Sequence, residues 1–192
     1  MALRIPILFG SMRSARLGIR AVRFFDAALR ARGHTTHVVD AMELDLPLLD
    51  RMYKEYERGK APPKLEALAE IYRDADAFLI VSGEYNHNIQ PGLKNLLDHF
   101  LEEYFFRPSA IVCYSFGQFG GVRAAMALRM TLAELGMSSI PSILPVPRIQ
   151  DVFTPEGEPT DRNYPRRCER FFREFEWYAE ALKAKRAAGV PY

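Results

Sequence analysis

Three short segments of this sequence combine small residues with side chains that bind anions or flat rings. The first, loop 1 (residues 10–18), reads Gly-Ser-Met-Arg-Ser-Ala-Arg-Leu-Gly. Ser11 and Ser14 supply hydroxyl donors, while Arg13 and Arg16 supply planar cationic donors suited to a phosphate dianion. If a helix begins directly after loop 1, its free N–H groups and positive dipole end favour the same ligand. The segment therefore predicts a phosphate site, although a Ser/Arg turn alone is also typical of a solvated helix cap.

The second segment, residues 82–97, reads Ser-Gly-Glu-Tyr-Asn-His-Asn-Ile-Gln-Pro-Gly-Leu-Lys-Asn-Leu-Leu. It runs from the end of an apolar strand through a polar part, loop 2 (residues 83–90), into a helix that starts at Pro91. Loops at the carboxyl ends of strands bind ligands in open α/β sheets. Glu84 and His87 could each be ordinary loop residues, but that interpretation explains the whole block poorly.

The third segment, loop 3 (residues 115–123), reads Ser-Phe-Gly-Gln-Phe-Gly-Gly-Val-Arg. Its three glycines predict a backbone that approaches a flat ring closely, with N–H groups free to bond the polar edge of that ring. A flexible turn that ends in a helix start explains loop 3 equally well when it is considered alone.

Apolar runs rich in β-formers alternate with helical patterns along the chain, which predicts βαβ units and a parallel sheet. The predicted strands are Leu3–Phe9, Thr35–Val39, Ala77–Ser82, Ser109–Ser115 and Ser139–Val146. The predicted helices are Leu17–Arg32, Lys64–Arg73, a helix from Pro91 with an apolar stripe to Tyr104, about Gly121–Leu135, and a last helix that contains Phe171 and Phe175. This order predicts an α/β fold with a flavodoxin-like, doubly wound five-stranded parallel sheet, order 2-1-3-4-5, between two helical layers.

Prolines refine the positions of two strands. Pro141 and Pro145 suit an edge position for the last strand, because proline donates no ladder hydrogen bond. Pro6 conflicts with a central first strand, so we expect it at the beginning of that strand.

Bulk composition limits the class of protein. A chain of 192 residues predicts one domain over residues 1–192, with a helical extension from about residue 150. A net charge of +2 is too small to indicate nucleic acid or an anionic membrane as a partner. No apolar run approaches the ~20 residues of a membrane span, and no signal-peptide pattern is evident, so we expect a cytoplasmic protein.

The remaining reactive residues show no catalytic or metal-binding pattern. Cys113 lies in an apolar run and is expected in the core, whereas Cys168 lies among charges and is expected at the surface. The four histidines have no metal-ligand spacing, and no serine lies in a nucleophile elbow. We therefore expect neither a metal site nor a catalytic side chain.

The three segments together resemble the NAD(P)H-dependent FMN reductase family, a flavodoxin-like group that includes quinone, chromate and azo-dye reductases. Residues 82–97 resemble its Pro-Glu-Tyr-Asn-His-Ser-x-Pro-Gly-x-Leu-Lys-Asn signature, loop 1 its Gly-Ser-x-Arg opening, and loop 3 its Ser-x-Gly-x-x-Gly-Gly-x-Arg-Ala segment. The resemblance covers about residues 3–145. Gly83 replaces the usual proline, Asn88 the usual serine, and Arg16 a serine that meets the phosphate, so Arg16 either replaces that hydroxyl or points to solvent.

The resemblance implies FMN as the cofactor, with loop 1 on its phosphate and loop 2 around its isoalloxazine ring. A single phosphate loop favours FMN over FAD. The implied cofactor-binding residues are Ser11, Arg13, Arg16, Leu17, Gly18, Glu84, Tyr85, Asn86, His87, Ser115, Phe116, Gly117, Gln118 and Gly120. The flavin would carry the hydride chemistry in a ping-pong reaction, with no side chain required as acid or base.

The implied partners are NADH or NADPH and a small electron acceptor such as a quinone, a flavin, a nitro or azo compound, or a metal oxyanion. We also expect a homodimer or homotetramer, because Phe105 and Phe106 extend an already apolar helix. The alternatives are a non-catalytic, flavodoxin-like electron carrier, a flavin-bearing sensor, or a family member that has lost its flavin. An isoelectric point near 8.5 and an arginine-bearing loop 1 argue against a flavodoxin, which is usually acidic.

Overall fold

A five-stranded parallel sheet forms the centre of the protein in the computed structural model, which describes residues 1–192. The strands are β1 (Arg4–Phe9), β2 (Thr35–Asp40), β3 (Phe78–Gly83), β4 (Pro108–Tyr114) and β5 (Ser138–Val146). They lie in the order β2-β1-β3-β4-β5, and every neighbouring pair is parallel. The predicted fold class and strand order are confirmed, and each strand begins and ends within one residue of its predicted bounds.

Seven α-helices complete the fold: α1 (Gly18–Ala31), α2 (Ala41–Leu44), α3 (Pro63–Arg73), α4 (Pro91–Asp98), α5 (Val122–Glu134), α6 (Ile149–Val152) and α7 (Tyr164–Ala187). Helices α1 and α7 pack on one face of the sheet, and α3, α4 and α5 pack on the other. The short helices α2 and α6 were not predicted. None of the helices has both the length and the apolar content that a bilayer span requires.

Strands β3 and β4 are buried along their whole length, as their continuous apolar runs require between two helical layers. Strand β5 is one of the two edge strands, as its prolines predict. Pro141 lies where the ladder between β4 and β5 is irregular, because Ser109 pairs with Ser139 but Ile111 pairs with Ile143.

The prediction that Pro6 begins its strand is wrong, because Pro6 is the third residue of β1. Its missing N–H would face β3, since the N–H and C=O of Arg4, two residues earlier, both bond Asp76 on that side. Pairing between β1 and β3 starts only at Ile7. The proline therefore occupies the last position before that ladder begins.

The prediction that the apolar stripe after Pro91 belongs to one helix is wrong. Helix α4 ends at Asp98, and a separate 3₁₀ turn covers Glu102–Tyr104. The stripe is nevertheless buried apart from the half-buried Leu101. Phe105 and Phe106, which motivated the expected dimer, pack against Tyr192 of the same chain with ring centroids 5.7 and 4.9 Å apart.

The C-terminal helix belongs to the core. Phe171 and Phe172 of α7 pack on Phe25 of α1, with ring centroids 6.4 and 5.8 Å apart. Cys168 lies one turn earlier on the same face and is 1% exposed, so the prediction of a surface thiol is wrong. Cys113 is buried in the core, as predicted, and both thiols are free.

Candidate cofactor-binding site

The three loops meet at the carboxyl edge of the sheet, where right-handed crossovers bring the ends of β1, β3 and β4 together. They enclose a cavity of about 240 Å³. Its lining residues are Ser11, Arg13, Ala15, Arg16, Leu17, Gly83, Glu84, Tyr85, Gln90, Tyr114, Ser115 and Phe116.

Not every predicted site residue lines this cavity. Eight do: Ser11, Arg13, Arg16, Leu17, Glu84, Tyr85, Ser115 and Phe116. Six do not: Gly18, Asn86, His87, Gly117, Gln118 and Gly120. Sequence reasoning missed Ala15, Gly83, Gln90 and Tyr114. Tyr114 carried a usable signal, because it is a polar-tipped residue at the end of an apolar strand that leads into loop 3.

Loop 1 presents a row of unpaired backbone donors. The N–H groups of residues 11–15, Leu17 and Gly18 form no hydrogen bond within the chain. The start of α1 has no side-chain cap and no acidic residue in its first turn. Arg13 is exposed and forms no ion pair. These donors fit an anionic oxygen cluster such as a phosphate, as the sequence predicts.

The sequence left open whether the Arg16 side chain points to solvent. In the structure it is directed into the protein. Its guanidinium pairs with Asp40 at the end of β2, donates to the carbonyl oxygen of Ser11 at 3.2 Å, and lies 5.3 Å above the Phe9 ring. The Arg16 and Asp40 side chains are only 13% and 2% exposed. This buried ion pair attaches loop 1 to the strand beside it.

Glu84 joins loop 2 to the helix that follows loop 3. Its Oε2 accepts hydrogen bonds from the backbone N–H groups of Arg123 at 3.1 Å and Ala124 at 3.3 Å. The Arg123 guanidinium lies 3.8 Å from the other carboxylate oxygen. Glu84 thus caps the positive end of α5.

Loop 2 is a tight hairpin. Tyr85 and Asn88 exchange two backbone hydrogen bonds of 2.9 Å each, and the two residues between them have positive φ angles, 49° at Asn86 and 65° at His87. Asn tolerates this conformation better than most residues, which explains its place in the motif. Asn86 and His87 are exposed at the hairpin tip. Tyr85 lines the cavity, and its buried hydroxyl has no partner in the chain.

The glycines of loop 3 serve the packing of the chain itself more than an approach to a ring. Gly120 and Gly121 have φ angles of 63° and 82°. A Cβ on Gly121 would lie 2.7 Å from the carbonyl oxygen of Tyr114, and one on Gly120 would lie 2.8 Å from Pro145. Only Gly117 has open space around it.

The segment after β5 holds loop 3 in place. The N–H of Ile149 bonds the Ser115 carbonyl oxygen, and the N–H of Arg148 bonds that of Gly117, both at 3.1 Å. Phe116 and Phe119 remain exposed by 60% and 54%. The site therefore pairs an anion-binding end at loop 1 with an aromatic end at loops 2 and 3, which fits a phosphate-bearing planar ligand such as FMN.

Comparisons with known proteins agree with this geometry. The model of the family described as NADPH-dependent FMN reductase matches residues 3–151. The chain is 37% identical over 95 residues to a quinone reductase of Escherichia coli K12, covering 47% of this chain and 50% of that protein. It is 33% identical over 106 residues to an NAD(P)H-dependent FMN reductase of Pseudomonas aeruginosa, covering 52% and 57%. The chain thus spans about half the length of these curated relatives.

Solved structures share the fold. The flavoenzyme NAD(P)H:(acceptor) oxidoreductase FerB of Paracoccus denitrificans superposes with a TM-score of 0.71 at 19% identity, over 95% of this chain and 98% of that one. An NAD(P)H:quinone oxidoreductase of Methanothermobacter marburgensis superposes with a TM-score of 0.58 at 16% identity, over 93% and 98%. At these identities the likeness establishes the fold alone.

The ion pair below loop 1 predicts a difference between two neighbouring arginines. We expect Arg16→Ala to lower the free energy of unfolding by about 3–5 kcal/mol, because it leaves the buried Asp40 carboxylate unpaired. Arg13→Ala is the matched control and should change stability by less than about 0.5 kcal/mol, since Arg13 is exposed and unpaired. Urea unfolding of the three proteins measures both values. Equal stability of wild type and Arg16→Ala would contradict the role of the ion pair.

Proposed function

Because the chain belongs to the NADPH-dependent FMN reductase family, we propose that it binds FMN and uses NADH or NADPH to reduce a small acceptor of the quinone type. The observation that carries the proposal is the row of unpaired loop 1 amides beside Arg13, at one end of a cavity whose other end is aromatic. When bound, FMN supplies the transfer of hydride and electrons between nicotinamide and acceptor.

The chain's own residues bind and orient the cofactor in this proposal. The loop 1 amides, the Ser11 hydroxyl and Arg13 hold the terminal phosphate. Tyr85 and Phe116 form the walls beside the ring. Loop 1 is the only one of the three loops that combines a row of unpaired N–H groups with an exposed arginine free of an ion pair, which favours FMN over FAD.

No side chain at the site is suited to acid–base or nucleophilic work. His87 lies exposed at the hairpin tip, outside the cavity. The Glu84 carboxylate is occupied by the N–H groups of α5. Burial raises the pKa of the Cys113 thiol to about 12, so it stays protonated at neutral pH. The proposed role of the protein is therefore positioning and electrostatics.

The arginine charge near the cavity favours a planar acceptor that carries a carbonyl group or a negative charge. Arg13 is exposed and lines the cavity, whereas the exposed Arg123 lies beside Glu84 and 4.5 Å above the Phe119 ring. A reductase is favoured over a flavodoxin-like carrier because the site is cationic and the relatives bear reductase names. Two free cysteines support a reducing compartment, and we keep the cytoplasm as the proposed location, testable by cell fractionation.

The phosphate role of Arg13 predicts a loss of flavin affinity. We expect Arg13→Ala to weaken FMN binding by about 1.5–3 kcal/mol, roughly 10- to 100-fold in Kd, because a charge-assisted hydrogen bond is lost. Titration of apoprotein with FMN, followed by quenching of flavin fluorescence, measures the change. Unchanged affinity would refute the phosphate role of Arg13.

A shared binding face predicts ping-pong kinetics. Nicotinamide and acceptor should bind in turn at one place, so double-reciprocal plots against both substrates should be parallel. His87→Ala and Glu84→Gln should lose less than about tenfold in kcat at saturating FMN, because loss of a true acid or base costs ~10²–10⁴-fold. Intersecting plots, or a larger loss in either variant, would show that a side chain does chemistry assigned here to the cofactor.

We also propose that the protein is a homodimer or homotetramer. Met126 and Met130 are exposed by 49% and 72% one turn apart on α5, and Phe119, shortly before that helix, is also exposed; these side chains are apolar surface that a second copy could cover. Light scattering at micromolar concentration should give at least twice the mass of one chain. A monomeric mass would contradict the proposal.

A further inference from the structure

Three buried polar groups form a chain of hydrogen bonds below the cavity. The N–H of Gly83 donates to Oε1 of Gln90 at 2.9 Å, and Nε2 of Gln90 donates to the hydroxyl oxygen of Tyr114 at 3.3 Å. Gln90 is 2% exposed and Tyr114 is 7% exposed, yet all three residues line the cavity. Neither Gln90 nor Tyr114 has a role in the function proposed above.

The direction of this chain of bonds is fixed at its first link. A backbone N–H can only donate, so the oxygen of the Gln90 amide must face Gly83 and its NH₂ must face Tyr114. The Tyr114 oxygen therefore accepts a hydrogen bond from Gln90, and the proton of the Tyr114 hydroxyl must point away from Gln90. Burial raises the pKa of Tyr114 to about 12, so the proton is retained at physiological pH.

The Tyr114 hydroxyl lies at the anion-binding end of the cavity. A Cβ on Gly18, the first residue of α1, would lie only 2.3 Å from the hydroxyl oxygen, so glycine is required for this close approach. The Ser11 side chain also interacts with the hydroxyl. Tyr114 thus adds a hydroxyl donor beside the end of loop 1.

Resting on the proposed FMN site, we propose that Gly83 and Gln90 orient the Tyr114 hydroxyl to donate a hydrogen bond to a phosphate oxygen of FMN. Tyr114 is the binding residue, and Gln90 is a positioning residue that acts through it. The unpaired backbone N–H groups of loop 1 can only donate, so they do not compete with such an oxygen for the Tyr114 proton.

Tyr114→Phe tests the contact, because it removes the hydroxyl and keeps the ring that packs on Gly18. We expect its Kd for FMN to rise about 10- to 100-fold, as for a hydrogen bond to a charged group, while its Kd for riboflavin changes less than about threefold. Unchanged FMN affinity, or an equal loss for both flavins, would overturn the proposal. Failure of the wild-type protein to bind FMN would instead refute the proposed function.

Gln90→Met tests the positioning role with a side chain of similar length. We expect a smaller, FMN-specific loss of affinity, with riboflavin affinity unchanged. In the Tyr114→Phe background the same substitution should have no further effect on FMN affinity, because Gln90 acts only through the hydroxyl. Independent, additive losses would overturn the positioning role, and thermal unfolding of each variant confirms that the fold is intact.

Discussion

The buried ion pair between Arg16 and Asp40 is the contact on which the rest of the site depends. Loop 1 leaves its amides without partners in the chain, and so its own backbone bonds do little to fix its shape. The guanidinium of Arg16 supplies that restraint from below, through Asp40 and the carbonyl oxygen of Ser11. Because Arg16 has this structural role, Arg13 is the exposed cation of loop 1 that can bind a ligand.

The other two loops are fixed by polar contacts of the same kind. Glu84 attaches loop 2 to the start of α5, and the segment after β5 attaches loop 3 through Ile149 and Arg148. The tight Asn86–His87 turn gives loop 2 a hairpin shape of its own. The cavity is thus formed by contacts within the chain, which lowers the ordering cost of binding a ligand there.

The sequence predicts the fold well because its signals are local. The apolar runs of β3 and β4 and the helical periodicity of α1 and α5 specify the elements, and short crossovers leave few strand orders. Cys168 was recoverable too, since it lies three and seven residues before Phe171 and Phe175 on one helical face. The charged residues on either side of Cys168 led instead to the prediction of a surface position.

The features of the site that the sequence does not predict depend on contacts between residues that are distant along the chain. Arg16 turns inward because Asp40 lies at the end of the neighbouring strand, and the spacing of loop 1 carries no sign of that partner. Gln90 and Tyr114 meet only because β3 and β4 pair in register. Asn86 and His87 lie outside the cavity because their motif encodes a backbone turn, with positive φ angles at both residues.

The central claim, that loop 1 is a phosphate site, is tested most directly by comparing FMN with riboflavin, which lacks only the phosphate. Calorimetric titration of wild-type apoprotein should give a Kd for FMN at least about 100-fold lower than that for riboflavin, because several charge-assisted hydrogen bonds are at stake. Raising the salt concentration should reduce the difference between the two Kd values, because salt screens the attraction between the phosphate and loop 1. Equal affinity for the two flavins would contradict the account.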